Sequence, residues 1–274
     1  MIDFINFFEN INSLQRAVIL VGGITFFWSI ESIIPLFNFN YKKLSHASTN
    51  LFFTFTTILI NFSLAFLLLN SADWVNTNNF GVLNFFEIPI IINTILGIFL
   101  LDLIGAYLPH YVQHKVKFLW KIHLVHHSDN NVDTTTGNRH HPFESVVRFV
   151  FTLVGVVILG VNMWLVFLYQ SISVISTQFT HANININPKV DKLLSYIIVT
   201  PNMHKVHHHY QMPYTDSNYG NIFSFWDHLL GTFKKLDPFK IIYGVDTFFS
   251  KKENESIKNL LFRPFEKSKS HANK

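Results

Sequence analysis

Apolar positions in this chain gather into long runs parted by short polar stretches, a pattern that predicts helices buried on all sides rather than helices with one wet face. Residues about 17–38, with Trp28 and Glu31 inside, form the first run long enough to cross roughly 30 Å of hydrocarbon, which takes about 20 helical residues. Lys42 and Lys43 follow at once, and Glu31 is expected to snorkel or to find an interfacial partner. A second, Phe-rich run covers about 50–70, and the loop Ser71 to Phe86 separates it from a third, about 87–108. The fourth region, 146–180, would reach about 52 Å as one straight helix, well beyond a bilayer. A break at Gly160-Val161-Asn162 divides it into two arms, a hairpin that leaves Glu144 and His181 on one face of the membrane.

The expectation is therefore an all-α, integral membrane bundle of about four spanning elements, three spans over about 17–108 plus a helical hairpin over 146–180. A cytosolic helical cap is expected from 109–145 and 181–245, and a C-terminal tail from 246–274 that frays after about 265, all within a single membrane domain 1–274. Basic residues orient it: Arg16 precedes the first span, the loop after the second has none, and the other 20 of 21 Lys and Arg fall on the opposite side or at its boundary. By the positive-inside rule that side is cytoplasmic. Met1 to Gln15 carries Asp3 and Glu9 and lacks the basic n-region and cleavage site of a signal peptide, so it reads as an interfacial segment of the mature chain.

Composition agrees. Charged residues make up 14% against about 25% in soluble chains, too few to coat a water-facing surface. With no Cys, thiolate metal sites, iron–sulfur clusters and cysteine nucleophiles drop out. The net charge of +4 does not point to nucleic acid, because the lysines are scattered among apolar segments without an aromatic-basic motif.

Against this background the histidines are grouped. His123, His126 and His127 stand at i, i+3 and i+4, which on a helix projects three imidazoles toward one volume. The spacing returns at His204, His207 and His208, and His110 and His114 stand at i and i+4. With 15 His in 274 residues, chance gives one such triplet about 0.04 times. His141 and His181 lie at the membrane boundary where these eight converge. Imidazole suits iron, zinc, copper or nickel, one metal needs three or four protein ligands, and eight or more histidines imply two metals. His140 and His209 sit off the spacing and are expected beside the ligands or at the surface; His46 and His271 are expected to be solvated.

The motifs Asp102-x₄-Tyr107-x₂-His110-x₃-His114, Trp120-x₂-His123-x₂-His126-His127, Arg139-x-His141-Pro142-x-Glu144, His181-x-Asn183, Pro201-x₂-His204-x₂-His207-His208 and Asn218-Tyr219-Gly220-Asn221, leading to Trp226-Asp227 and Gly231-Thr232, cover roughly 85–245. Together they resemble the fatty acid hydroxylase/sterol desaturase superfamily of integral-membrane non-haem di-iron enzymes. The resemblance implies two irons bound by the ten histidines, O2 as co-substrate, and hydroxylation or desaturation of an unactivated C–H bond in a lipid. It also implies a separate electron donor, a reductase, ferredoxin or cytochrome, since no haem domain, cysteine cluster or Gly-rich dinucleotide fingerprint is present. Asp102, Tyr107, Glu144, Asn183, Asp227 and His228 are candidates to support the ligands, with capping or loop hydrogen bonds as the alternative for Glu144, Asn183 and Asp227. Two rival readings exist. A hydrolytic zinc site keeps three ligands and an open position, for which ten imidazoles are too many. A metal transporter would carry His or paired acids at mid-membrane, and the spans hold none.

Overall fold

The computed structural model describes residues 2–248 and 250–266; the frayed end expected after about 265 and His271 fall largely or wholly outside them. A short helix, α1 (Ile2–Glu9), precedes α2 (Ser13–Ile33). Asn12 starts α2 with a reciprocal cap: its side chain accepts from the Gln15 N–H while the Gln15 side chain accepts from the Asn12 N–H. Next comes α3 (Lys43–Thr77), whose 35 residues make a rod of about 52 Å, taller than the hydrocarbon layer. The surplus turns lie at both ends. Ser71 to Thr77, expected as loop, is helix, and so are the residues just after Lys43, whose inner face buries His46, Thr49, Asn50 and Thr54.

The third span, α4 (Ile90–Asp102), does not stop at the membrane boundary. It passes through one π-helical turn, Leu103–Tyr107, straight into α5 (Leu108–Lys115), so an apolar span and His110 belong to one rod. Such turns widen the helix by one residue and re-aim the face beyond them, here between Asp102 and His110. Val116 is extended, and α6 (Lys117–His127) then turns back across α5.

The apolar region 146–180 is a hairpin, α7 (Pro142–Leu159) and α8 (Met163–His181). Gly160 ends α7 with φ of 77°, left-handed, and a Cβ there would come 2.3 Å from the Phe80 carbonyl oxygen. The Asn84 amide donates to the Gly160 carbonyl at 3.0 Å. The hairpin tip thus meets the loop joining α3 to α4, so both arms run the height of the bundle. Leu68, Ala72, Leu101, Val156, Leu159, Trp164, Leu165 and Tyr169 share the core between these helices. Four rods are long and apolar enough to cross a membrane, Ser13–Ile33, Lys43–Asn84, Ile90–Lys115 and Pro142–Leu159. Among the described residues there is no strand, only three isolated bridges.

Five short helices complete the cap: α9 (Pro188–Leu194), α10 (Pro201–His207) and α11 (Phe225–Leu229), then the pair α12 (Lys251–Glu255) and α13 (Ile257–Phe262). The stretch expected as tail is largely ordered into this cap, since Leu260 is buried beside Phe53 and Val125, and Arg139 donates to the Asn254 carbonyl. Glu31 takes the partnered alternative rather than snorkelling. It is buried, accepting from the backbone N–H of Thr134 and of Asn183, both at 3.0 Å, and pairing with Lys43, so it ties α2 to the cap.

Candidate metal centre

Nine of the ten histidines named from the sequence meet in the cap, in two adjoining groups, within each of which the ligand nitrogens lie within 4.8 Å of one another. One group is His110, His114, His123, His127 and His207; the other is His126, His181, His204 and His208. Each triplet is split rather than shared. Neighbouring residues on a helix point about 100° apart, so the i and i+4 members of the first triplet, His123 and His127, join one group while His126 turns to the other. The second triplet does the reverse: His204 and His208 join the second group and His207 crosses to the first. Each triplet therefore bridges both groups, and His127 lies 4.7 Å from His208 between ring centres.

Proton positions follow from the partners of the Nδ1 atoms. His110 Nδ1 donates to the Tyr219 carbonyl at 2.8 Å, His207 Nδ1 to the Ser217 carbonyl at 2.6 Å, His181 Nδ1 to the Thr177 carbonyl at 2.7 Å, and His123 Nδ1 to Glu144 at 2.9 Å. A neutral imidazole has one N–H, so an Nδ1 that donates leaves the Nε2 of its ring as the acceptor. Yet His110 Nε2 and His207 Nε2 face each other at 2.9 Å. Around His181 Nε2 stand the Nε2 atoms of His204, His126 and His208, at 3.0, 3.1 and 3.2 Å. Among the described residues His127 has no hydrogen-bond partner for either nitrogen.

Protonation does not relieve this crowding. Burial, then the neighbouring imidazoles, hold His126, His127, His204, His207 and His208 well below the usual histidine range, so they are neutral. Convergent lone pairs in a dry pocket need a cation. Nitrogens about 3 Å apart are the spacing of neighbouring ligands bound at about 2.0–2.1 Å, so the residues fit transition-metal ions.

The supporting residues sort cleanly. Glu144 accepts from His123 and also lies 3.3 Å from Arg148. Asp227, its carboxyl raised to about 6 by burial, accepts from the N–H groups of Tyr219 and Gly220 at 2.8 Å and from the Thr232 hydroxyl at 2.7 Å. That holds the loop whose carbonyl orients His110, and Tyr107 reaches the same Thr232 at 2.8 Å. Asp102 accepts from the N–H groups of Ile222 and Phe223 at 3.2 and 3.1 Å, pinning the loop to the end of α4. Asn183 takes the loop-bonding alternative, exchanging hydrogen bonds with Phe37. His228 donates to the Ser195 carbonyl at 3.1 Å and touches no ligand ring.

His141 is the histidine that the structure does not bring in. Its Nδ1 caps α7 by accepting from the Phe143 N–H at 3.2 Å and its Nε2 donates to the Leu261 carbonyl at 3.1 Å. Both nitrogens are spent outside the groups. His140 faces the centre instead, its ring 5.1 Å from His126 and its Nε2 3.6 Å from Glu144. A signal existed: His140 and Glu144 stand at i and i+4. His209 accepts from the Ile242 N–H at 3.1 Å, away from both groups.

His46 corrects the expectation of a solvated residue. Its Nε2 lies 2.9 Å from Asp129 and its Nδ1 3.2 Å from Asp133, which also accepts from the Tyr41 hydroxyl at 2.7 Å. Arg139 closes the network, donating to Asn50 at 3.2 Å and to Ser128 at 3.1 Å.

The profile of the family described as fatty acid hydroxylase matches residues 94–232, just over half of the chain and every member of the two groups. This chain belongs to the fatty acid hydroxylase family. It is an integral membrane member of the wider fatty acid hydroxylase/sterol desaturase superfamily. Among curated proteins it is similar to the ornithine lipid hydroxylase OlsE of Rhizobium tropici, 26% identical over 53% of this chain and 43% of that protein. It is also similar to alkylglycerol monooxygenase of Homo sapiens, 26% identical over 52% of this chain and 30% of that protein, and of Caenorhabditis elegans, 28% identical over 58% and 30%. The matched region thus spans less than half the length of these relatives. No solved structure matches the chain.

Proposed function

We propose that this family member is an O2-dependent lipid hydroxylase using two irons, one at each histidine group. The observation that carries the reading is the pair His110 and His207, whose Nε2 atoms face each other at 2.9 Å while both Nδ1 protons are committed to carbonyls. The zinc-hydrolase and transport readings have no comparable support: nine buried imidazoles exceed a hydrolytic site, and they gather at one end of the bundle. The named activities of the relatives, a hydroxylase and a monooxygenase acting on lipids, favour hydroxylation over desaturation.

Iron, when bound, would supply the reduction of O2 that replaces one lipid C–H by C–OH and releases the second oxygen as water, consuming two electrons and two protons. The chain's own groups fix the ligand tautomers: Glu144 and the carbonyls of Thr177, Ser217 and Tyr219 each hold an Nδ1–H, leaving Nε2 for the metal. Burial of the rings keeps bulk water from the reacting carbon. Electrons come from a separate donor, a reductase, ferredoxin or cytochrome, and the distribution of Lys and Arg supports a cytoplasmic side for the groups.

The test is metal analysis of detergent-purified protein expressed with added iron under low oxygen, beside His126→Ala and His207→Ala. About two irons per chain, diminished in both variants, supports the reading. One zinc, or metal untouched by either substitution, refutes it. Lipid analysis of cells expressing the wild type and the variants would then identify the hydroxylated product.

A further inference from the structure

An apolar ledge on the cap adjoins the end of α4. On α9 and the turn after it, Leu193, Tyr196 and Ile197 are 69%, 59% and 65% exposed; on and after α11, Phe225, Leu229 and Leu230 are exposed as well. The two segments are joined. The Ser224 N–H donates to the Ile197 carbonyl at 3.2 Å, His228 donates to the Ser195 carbonyl, and Ile198 bridges to Phe223. Six large apolar side chains facing outward from one joined unit mark a surface that something covers.

What covers it follows from α4. Ile91 and Ile95, 56% and 60% exposed, stand with the half-buried Phe99 at i, i+4 and i+8 on one helix face, open at Ile91 and Ile95. At the cap end of that face the Phe99 ring lies 5.5 Å from Phe225 and 4.2 Å from Trp226. The exposed stripe of a membrane helix therefore leads, through Phe99, onto the ledge at Phe225. Charge agrees with depth: exposed Lys189 and Lys192 flank Leu193 on α9, with Asp191 the only acid there, and exposed Lys234 and Lys235 follow Phe233, whose ring lies 4.1 Å from His228.

We propose that the ledge is embedded in the bilayer. Its six apolar side chains lie among the acyl chains of the leaflet that α4 leaves at Phe99, and the four lysines meet anionic headgroups at its rim. The consequence bears on access. Ile197 is three residues before Thr200, the cap of α10, and the loop that follows the second histidine triplet ends on α11. Seating the ledge in lipid holds α10, which carries His204 and His207, down against the membrane, so that a lipid need not leave the bilayer to come near the histidine groups. The inference rests on the membrane spans and not on which metal is bound.

The sequence has no Cys, so single-cysteine variants carry a nitroxide at one place only. Ile197→Cys and Leu229→Cys would be labelled in nanodiscs of phosphatidylcholine and phosphatidylglycerol, beside Ile95→Cys as the bilayer reference and Gln211→Cys as the water reference. The quantity read is the collision rate with O2, which concentrates in hydrocarbon, over that with a water-soluble nickel chelate. Ratios at Ile197→Cys and Leu229→Cys several-fold above Gln211→Cys and close to Ile95→Cys support the proposal. Ratios equal to Gln211→Cys overturn it. So does an immobilised label closed to both reagents, which means that protein covers the face. All four positions are exposed, so labelling leaves the core intact, and the readout is indifferent to whether the centre holds iron.

Discussion

The two histidine groups and the network around His46 are equally buried and chemically opposite. His46 sits between two carboxylates, with Arg139 3.8 Å from Asp129, so cation and anion are paired within the fold. Burial by itself would raise the Asp129 carboxyl, but His46 and Arg139 hold it well below the carboxylate range. The histidine groups contain no carboxylate and nine acceptor-rich rings. A buried cluster that balances its own protons asks for nothing more; one made of acceptors alone asks for a metal. Histidine count does not separate the two. The partners of the second ring nitrogen do.

Adding and removing metal should give the largest contrast. At about a thousandfold excess over Kd, each site should add about 4 kcal/mol of stability, so two sites together add about 8. Thermal melts of wild type should show that gain and a His126→Ala/His207→Ala double variant should lose most of it. A gain that survives in the double variant would put the metal elsewhere.

Acid distinguishes the clusters next. In metal-free protein the five neutral rings with lowered pKa bind fewer protons folded than unfolded, so stability falls as pH drops below the unfolded value near 6.5. The slope is up to about 1.4 kcal/mol per pH unit for each ring, or about 7 for the five. Asp129 has the opposite origin and a lower window: its depressed pKa stabilises above the unfolded value of about 3.9 and that contribution is lost as pH falls further. Equilibrium unfolding of the apoprotein should therefore weaken first between about pH 6.5 and 4, and bound metal should suppress that phase. Stability flat over this interval without metal would mean that the rings are not dry.

His46→Ala should cost about 3–5 kcal/mol, because it leaves two carboxylates buried without their cation. Iron per folded chain should stay at the wild-type value. Glu144→Ala should do the reverse at smaller scale, weakening iron about 10- to 100-fold by freeing the His123 ring, with a lesser effect on folding. Iron titration of the two variants side by side checks both; a His46 variant that folds but takes up no iron would erase the distinction.

The bundle was legible because runs of about 20 apolar residues have few other uses, and the hairpin break because Gly160 stands midway in a run too long for one crossing. What escaped depends on distance along the chain. His46 and Glu31 look like boundary residues locally; their partners Asp129 and Thr134 lie 83 and 103 positions away. The start and end of α3 carry Ser, Thr and Asn, which read as loop until packing makes them helix. The triplet spacing pointed to six of the histidines that gather but not to their division, because i, i+3 and i+4 share a face while one member of each triplet turns to the group held mainly by the other. The carbonyls of Tyr219 and Ser217 had no sequence signal, being backbone atoms.

The smallest effect tests the finest point. The motif Arg139-x-His141-Pro142-x-Glu144 nominates His141, and the structure turns His140 inward instead, because Pro142 opens α7 and makes His141 its cap. His141→Ala should therefore behave as the loss of a helix cap, about 1 kcal/mol of stability with iron unchanged. His140→Ala should leave the cap intact and lower iron affinity, since its ring packs on His126 and shares Glu144 with His123. Iron retained in His140→Ala but lost in His141→Ala would show that the residue nominated by the motif had been the ligand after all. The opposite result would show that one residue of register, decided by a proline, separates a helix cap from a residue beside the metal centre.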